Sequence, residues 1–85
     1  MDWIVYILKC SDGSLYTGIT NNIANRVRAH QNGKGAKYTR GRGPFKIIHQ
    51  EHYATRSAAS KRELEIKSLN HQEKLKLKSN LFPTA

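Results

Sequence analysis

The sequence predicts an α+β fold in which a three-stranded antiparallel sheet is flanked by helices, in the order β-β-α-β-α. Residues 3–8 are apolar on both alternating faces, which is typical of a central strand. A second strand-like segment follows after a short turn, and a third is centred on Ile47-Ile48. With 85 residues, the chain is expected to form a single domain with a compact core at about residues 2–70. The polar segment 71–85 can add a short C-terminal helix before a Leu81-Phe82-Pro83 tail.

The turn at residues 11–14 decides which face of the sheet each tyrosine occupies. A two-residue loop would pair Cys10 with Leu15 and put Tyr6 and Tyr16 on opposite faces. A three-residue loop with Gly13 in the left-handed conformation pairs Cys10 with Ser14, and both tyrosines then share one face. If the two phenols cooperate, the three-residue loop is the one we expect.

Two helices and a long connector follow the hairpin. Thr20, Asn21 and Asn22 are N-cap candidates for a first helix of about ten residues, in which Ile23 and Val27 form the apolar stripe. The connector, residues 33–44, contains four glycines and a proline, a composition that argues against regular structure. The second helix is expected to be capped by Thr55 or Ser57 and to run to about Leu69, with Ala58, Ala59, Ile66 and Leu69 facing inward.

The charge distribution points to a polyanionic partner. The formal net charge is +9, and no acidic residue occurs between Asp12 and Glu51. Nucleic acid is the expected partner of such a single-sign field, although a basic surface can also serve solubility alone. The cations of this interval are Arg26, Arg28, Lys34, Lys37, Arg40, Arg42 and Lys46.

Several other functional classes are disfavoured by the composition. The single Cys10 excludes an internal disulfide framework and a cysteine-rich zinc site. The apolar run at the N-terminus is too short to span a membrane, so we expect a soluble protein of a reducing, cytoplasmic compartment. No Walker loop, dinucleotide fingerprint or nucleophilic serine elbow is present.

The residues that remain suit phosphate chemistry. Tyr16, Arg26 and His30 fall where a strand gives way to a helix, and Arg26 and His30 lie four apart on one side of it. Each also has a structural interpretation, as a strand tyrosine, a surface charge or a histidine at a helix C-terminus. On the second helix, Glu63 and Glu65 are candidate carboxylates that helical periodicity alone does not separate, and a Glu63–Lys67 ion pair is the simpler reading.

In its ordered motifs the chain resembles GIY-YIG nuclease domains. The first motif of that family falls on Ile4-Val5-Tyr6, with its glycine replaced, and the second on Tyr16-Thr17-Gly18. Gly13 and Thr20 complete the structural motif of the hairpin and its exit. The resemblance is greatest to Slx1-type endonuclease domains and small stand-alone bacterial relatives, which share the connector sequence with its Lys34, Lys37, Tyr38, Arg40 and Arg42.

The resemblance implies a site and an activity. Its catalytic residues would be Tyr6, Tyr16, Arg26, His30 and Glu63, and Glu63 would bind a single Mg²⁺ or Mn²⁺. The connector cations and Tyr38 would bind DNA or RNA, and the substrate would be structured or damaged DNA, as in DNA repair. Neither zinc nor a particular protein partner is implied. Ile19 replaces a lysine found in excision-repair members, and Leu75 an asparagine of restriction-type members. The rival hypothesis is a nucleic-acid-binding module of the same fold that does not cleave.

Overall fold

The computed structural model describes residues 2–78, except for the side chains of Tyr38 and Lys78. The predicted Leu81-Phe82-Pro83 tail lies outside these residues. The elements follow the order β1 (Trp3–Lys9), β2 (Leu15–Thr20), α1 (Ile23–Gln31), β3 (Lys46–Tyr53), α2 (Arg56–Lys67) and α3 (His71–Lys78). The predicted α+β fold, with its short C-terminal helix, is confirmed.

The sheet is antiparallel with the strand order β2-β1-β3, so β1 is its central strand. Central position explains the continuous apolar run of this strand, because both of its faces are covered. Val5 and Ile7 pack with Ala59 and Ile66 of α2 on one face. Ile4, Tyr6 and Leu8 pack on the other face against α1 and the segment around Phe45. We call these the α2 face and the α1 face.

The β1–β2 hairpin has the predicted three-residue loop. The Cys10 backbone N–H donates to Ser14 O at 2.8 Å, and Gly13 adopts φ 85°, which favours glycine. Tyr6 is therefore opposite Gly18 and Leu8 is opposite Tyr16. Because Tyr6 and Leu8 lie on one face of β1, both tyrosines lie on the α1 face, as predicted.

Local hydrogen bonds define where the helices begin. Asn22 caps α1 by accepting the Asn25 N–H at 3.1 Å, and Thr55 caps α2 by accepting the Ala58 N–H at 3.1 Å. The Thr20 hydroxyl accepts the Asn22 N–H at 3.1 Å and fixes the turn from β2 into α1. The connector, residues 33–44, contains one short 3₁₀ turn at Lys37–Thr39, where the sequence predicted no regular structure. None of the helices within residues 2–78 is long and apolar enough to cross a membrane.

Candidate active site

Two tyrosines, an arginine and a histidine meet on the α1 face at the junction of β2 and α1. The ring centroids of Tyr6 and Tyr16 are 6.3 Å apart, and those of Tyr16 and His30 are 5.2 Å apart. The Tyr6 hydroxyl is 3.0 Å from His30 Nε2 and accepts a hydrogen bond from Arg26 Nε at 3.4 Å. We call Tyr6, Tyr16, Arg26 and His30 the tyrosine cluster.

The spacing along α1 brings Arg26 and His30 to the cluster together. Residues four apart share one side of a helix, and this side carries Val27 into the apolar contacts of the α1 face. Arg28, by contrast, is exposed and donates to Asn25 Oδ1 at 3.4 Å. The prediction that Arg26 rather than Arg28 faces the cluster is confirmed.

Gly18 gives the two tyrosines the space in which they meet. A Cβ atom at this position would lie 2.7 Å from the Tyr6 hydroxyl oxygen and 3.0 Å from Cε2 of Tyr16. Gly18 is buried within β2, where glycine has no conformational advantage of its own. The close approach of the two phenols therefore explains the glycine of the second motif.

Burial and charge shift the pKa values in the cluster in definite directions. Burial raises the pKa of the Tyr6 hydroxyl, against the lowering effect of its hydrogen bond with Arg26. Burial, and secondarily the positive charge of Arg26, lower the pKa of His30. The hydrogen bond to Tyr6 raises the pKa of Arg26, which stays charged. At neutral pH the cluster thus holds one full positive charge and an uncharged imidazole.

Glu63 and Glu65, which sequence periodicity left equivalent, differ in the structure. The Glu63 side chain is 19% exposed and pairs with Lys67 Nζ at 3.2 Å, whereas the Glu65 side chain is 67% exposed. The negative charge of Glu63 also helps to raise the pKa of Tyr6, so it acts on the tyrosine cluster. The Glu63–Lys67 pair predicted from the helix is present, and Glu63 is the less exposed of the two carboxylates.

A cleft of ≈ 330 Å³ lies between β2 and helices α2 and α3. Leu15 packs in the core of the α2 face, so the cleft opens on that side of β2, and Lys67 of the Glu63 ion pair borders it. Two of its lining residues are lysines, which suits an anionic ligand. The lining residues are Leu15, Tyr16, Thr17, Lys67 and Lys74.

The acidic side chains of the site decide whether it fits a divalent cation. No group of three or more His, Cys, Asp or Glu side chains that could hold a metal ion occurs among the described residues. Glu63 offers a single hard oxygen ligand, the number that Mg²⁺ accepts when water and substrate phosphate oxygens complete its coordination. The donor set therefore fits Mg²⁺ or Mn²⁺ bound together with substrate and does not suit zinc.

The connector residues predicted to contact nucleic acid differ in their exposure and pairing. Lys34, Lys37 and Arg40 are exposed. Arg42 forms an ion pair with Asp12, and its carbonyl accepts the Ser11 N–H at 2.8 Å, which ties the connector to the hairpin turn. The side chain of the fifth predicted residue, Tyr38, lies outside the described part of the chain.

Three contacts to His30 were not anticipated from the sequence. Thr39 Oγ1 is 2.7 Å from His30 Nδ1, and both residues are 1% exposed. A Cβ atom at Gly35 would lie 2.3 Å from His30 Nδ1, and the Phe45 ring packs edge-on at 5.9 Å between centroids. All three residues belong to the connector or its end, where hydropathy patterns carry no signal about burial.

The three positions that depart from the family patterns pack in the apolar core. Ile4 is buried in the apolar packing of the α1 face. Ile19 is opposite Val5, so its side chain packs on the α2 face, across the sheet from the tyrosines. Leu75 likewise packs against the apolar core of the α2 face.

Comparison with protein families places the chain in a defined class. It belongs to the GIY-YIG catalytic domain family, whose model matches residues 2–76, and it thus has a nuclease-type domain.

Its relatives are small bacterial proteins of similar length. The chain is 55% identical over 76 residues to the UPF0213 protein CPE1444 of Clostridium perfringens, a match covering 89% of this chain and 82% of the relative. It is 56% identical over 73 residues to the UPF0213 protein SERP0126 of Staphylococcus epidermidis, covering 86% and 89%. Among solved structures it is similar to the UPF0213 protein BH0048 from Bacillus halodurans (46% identity, TM-score 0.60, covering 93% and 84%). The protein EF2693 from E. faecalis is also similar (40% identity, TM-score 0.64, covering 93% and 85%).

Proposed function

We propose that this protein is a divalent-metal-dependent endonuclease that hydrolyses phosphodiester bonds in branched, flapped or damaged DNA. The observation that carries the proposal is the tyrosine cluster. It combines a guanidinium, two phenols and an uncharged imidazole. Such a set attracts a phosphate and stabilises negative charge that develops on it.

Arg26 is the residue that would stabilise the transition state. Hydrolysis of a phosphodiester passes through a pentacovalent arrangement with increased charge on its oxygens. Arg26 Nε donates to the Tyr6 hydroxyl, and the guanidinium also interacts with Tyr16, so it is oriented as a donor to phosphate oxygens. This positioning precedes substrate binding, so little reorganisation is needed during the reaction.

The two tyrosines would have different roles in proton transfer. Tyr16 is half-buried, whereas Tyr6 is completely buried. Tyr16 would therefore be the phenol that meets a water or a phosphate, while Tyr6 would orient Arg26 and exchange a proton with His30. An ordinary tyrosine is a weak base at neutral pH, so the nearby positive charge is required for this role.

Glu63 would hold the metal ion, with the Lys67 ammonium released from its ion pair into the cleft. When bound, a divalent cation polarises the scissile phosphate and neutralises part of its charge. The negative charge of Glu63 contributes to the raised pKa of Tyr6, so an ion held by Glu63 would be within electrostatic reach of the cluster.

The exposed cations of the connector would bind the phosphate backbone of DNA in a cytoplasmic setting. Lys34, Lys37 and Arg40 lie on the segment that covers His30, so a backbone bound to them passes beside the cluster. Contacts with the phosphate backbone give no information about the base sequence, which favours recognition of DNA structure over recognition of a defined sequence.

A non-cleaving nucleic-acid-binding module is the second candidate. The Lys67 ion pair favours it, because it occupies the Glu63 carboxylate. Of the substituted motif positions, Ile19 packs on the α2 face, across the sheet from the tyrosine cluster, whereas Ile4 packs in the same apolar group as Tyr6.

The deciding experiment is a nicking assay on supercoiled plasmid and on flap and fork substrates, with Mg²⁺, with Mn²⁺ and with chelator. We expect cleavage that requires the metal and that falls at least roughly 10²-fold in Glu63→Ala. Glu65→Ala is the matched control, because this exposed carboxylate lies on the same helix. If the wild type and Glu63→Ala bind these substrates equally and both leave them intact, the binding module is the correct function.

A further inference from the structure

A continuous chain of hydrogen bonds runs from the connector into the tyrosine cluster. Thr39 Oγ1 lies 2.8 Å from the Ala36 carbonyl oxygen and 2.7 Å from His30 Nδ1. His30 Nε2 lies 3.0 Å from the Tyr6 hydroxyl, which also receives Arg26 Nε. We propose that Thr39 is a positioning residue that fixes neutral His30 in the tautomer protonated at Nδ1, so that Nε2 accepts the proton of Tyr6. Its catalytic meaning rests on the proposed function, but the assignment of the tautomer does not.

At the Thr39 end, the donor and the acceptor of each hydrogen bond can be assigned. A threonine hydroxyl has one proton, and the Ala36 carbonyl oxygen can only accept. Once the Thr39 proton is donated to Ala36, Thr39 Oγ1 can only accept from His30, which requires a proton on Nδ1. In a neutral imidazole, Nε2 then carries the lone pair.

At the Tyr6 end, the donors and acceptors of the hydrogen bonds can be assigned independently, with the same result. Tyr6 is completely buried, so its O–H proton needs an acceptor inside the protein. The arginine side chain has no acceptor, and therefore Arg26 can only donate to the phenol oxygen. His30 Nε2 is the acceptor that lies within hydrogen-bonding distance of this hydroxyl. Both ends thus assign the same tautomer.

Packing holds the imidazole in the position that the chain requires. His30 and Thr39 are each 1% exposed, and Gly35 lies so close to the ring that a Cβ atom there would clash with Nδ1. The backbone N–H of Thr39 also donates to Ala36 O at 3.0 Å, so the 3₁₀ turn does not depend on the Thr39 side chain. Removal of the hydroxyl alone should leave the turn in place.

This arrangement gives the buried tyrosine a defined proton acceptor. If Tyr6 ionises, its proton moves to His30 Nε2, and the product is a phenolate beside Arg26 and an imidazolium whose Nδ1–H still donates to Thr39. With the other tautomer, Nε2 would carry a proton and could not accept one. Thr39 would thus act through His30 rather than by touching substrate.

The test is long-range ¹H–¹⁵N correlation NMR of the histidine side chains, recorded at a pH where His30 is neutral. Thr39→Val removes the hydroxyl at nearly constant volume, Thr39→Ser retains it, and His30→Gln assigns the signal. In the wild type and in Thr39→Ser we expect a pyrrole-type Nδ1 and a pyridine-type Nε2. In Thr39→Val we expect the tautomer ratio to move toward Nε2–H by roughly 5- to 10-fold, the equilibrium equivalent of one hydrogen bond.

The outcomes separate this inference from the proposed nuclease function. A wild type with Nε2–H, or a folded Thr39→Val with an unchanged tautomer ratio, would overturn the role of Thr39 whatever the enzyme activity. An expected tautomer shift in a protein that cleaves none of the substrates would support the inference while the nuclease proposal fails. If both hold, cleavage should fall in Thr39→Val and return in Thr39→Ser with KM unchanged.

Discussion

The two faces of the sheet carry polar clusters of nearly the same composition but opposite character. On the α1 face, Tyr6 and His30 are joined to Arg26. On the α2 face, a tyrosine, a histidine and an arginine surround Glu51, and we call these residues the Glu51 cluster (His49, Glu51, Tyr53 and Arg62). Glu51 accepts from His49 at 2.7 Å, from Tyr53 at 2.5 Å and from Arg62 at 2.8 and 3.1 Å. One carboxylate makes the difference between the clusters.

The carboxylate leaves the Glu51 cluster with its charges neutralised. Burial raises the pKa of Glu51, but donation from Arg62, His49 and Tyr53 outweighs it and lowers the pKa from its ordinary 4.5 to about 2. Burial together with the hydrogen bond to Glu51 raises the pKa of Tyr53 to about 12. Arg62, Tyr53 and His49 Nε2 thus have their acceptor within the protein, which is typical of a stabilising ion-pair network. In the tyrosine cluster, by contrast, the charged Arg26 donates to a neutral phenol.

The largest expected effects come from removing the two arginines in turn. Arg26→Ala should lower DNA cleavage roughly 10²- to 10³-fold, as loss of one preorganised donor does, with a change in unfolding free energy below about 1 kcal/mol. Arg62→Ala should lower the unfolding free energy by about 1–3 kcal/mol, because Glu51 loses its charged partner, and should leave cleavage within a few-fold of wild type.

Nicking rates measure the loss of cleavage in each variant, and urea denaturation measures the loss of unfolding free energy. Arg28→Ala is the surface control, since Arg28 is exposed on the same helix as Arg26. The comparison fails if Arg26→Ala is the more destabilising variant, or if Arg62→Ala abolishes cleavage while it remains folded.

A second expected effect concerns acid stability. Glu51 has a folded-state pKa below its unfolded value, so its contribution is present above about pH 4.5 and is lost as the pH falls toward 2. With allowance for partial exposure, the loss over this range should be about 2 kcal/mol. Urea denaturation at pH 5, 4, 3 and 2 measures it.

Glu51→Gln should lose much less unfolding free energy than the wild type between pH 5 and pH 2. Glu65→Gln, which changes an exposed carboxylate, should lose as much as the wild type. If Glu51→Gln and wild type lose stability in parallel between pH 5 and pH 2, Glu51 is not the carboxylate that neutralises its cluster.

The sequence predicted the sheet and the three helices because each depends on local signals, such as alternation and cap residues. The turn residues left a two-residue and a three-residue hairpin loop open, and a shared face for the two tyrosines was expected only if the phenols cooperate. The spacing of Arg26 and His30 likewise predicted their shared side of α1. The choice of Glu63 over Glu65 came from family resemblance, since helical periodicity did not separate them, and tertiary packing around α2 then distinguished their exposure.

The contacts that sequence reasoning missed depend on burial in segments without periodic pattern. Thr39 and Gly35 lie among exposed cations of the connector, and their neighbours in the sequence give no sign that they contact His30. The Glu51 cluster did have a signal, because His49, Glu51 and Tyr53 alternate along β3 and therefore share one face. What the alternation could not supply was Arg62, which reaches Glu51 from another element.

The smallest expected effect concerns which face of the sheet binds DNA. Lys37 and Arg40 are exposed on the connector that covers the tyrosine cluster, whereas Lys61 is exposed on α2. The double variant Lys37→Ala/Arg40→Ala should reduce the slope of log K against log salt by about one unit per lost phosphate contact, whereas Lys61→Ala should leave it unchanged. Fluorescence anisotropy with a labelled fork at several salt concentrations measures both slopes.

Equal slopes for the connector variant and the wild type would mean that DNA does not cross the connector. A reduced slope with Lys61→Ala would place DNA on the α2 face instead. Because each released counterion follows one neutralised phosphate, the slope locates the charged path of DNA independently of whether cleavage occurs.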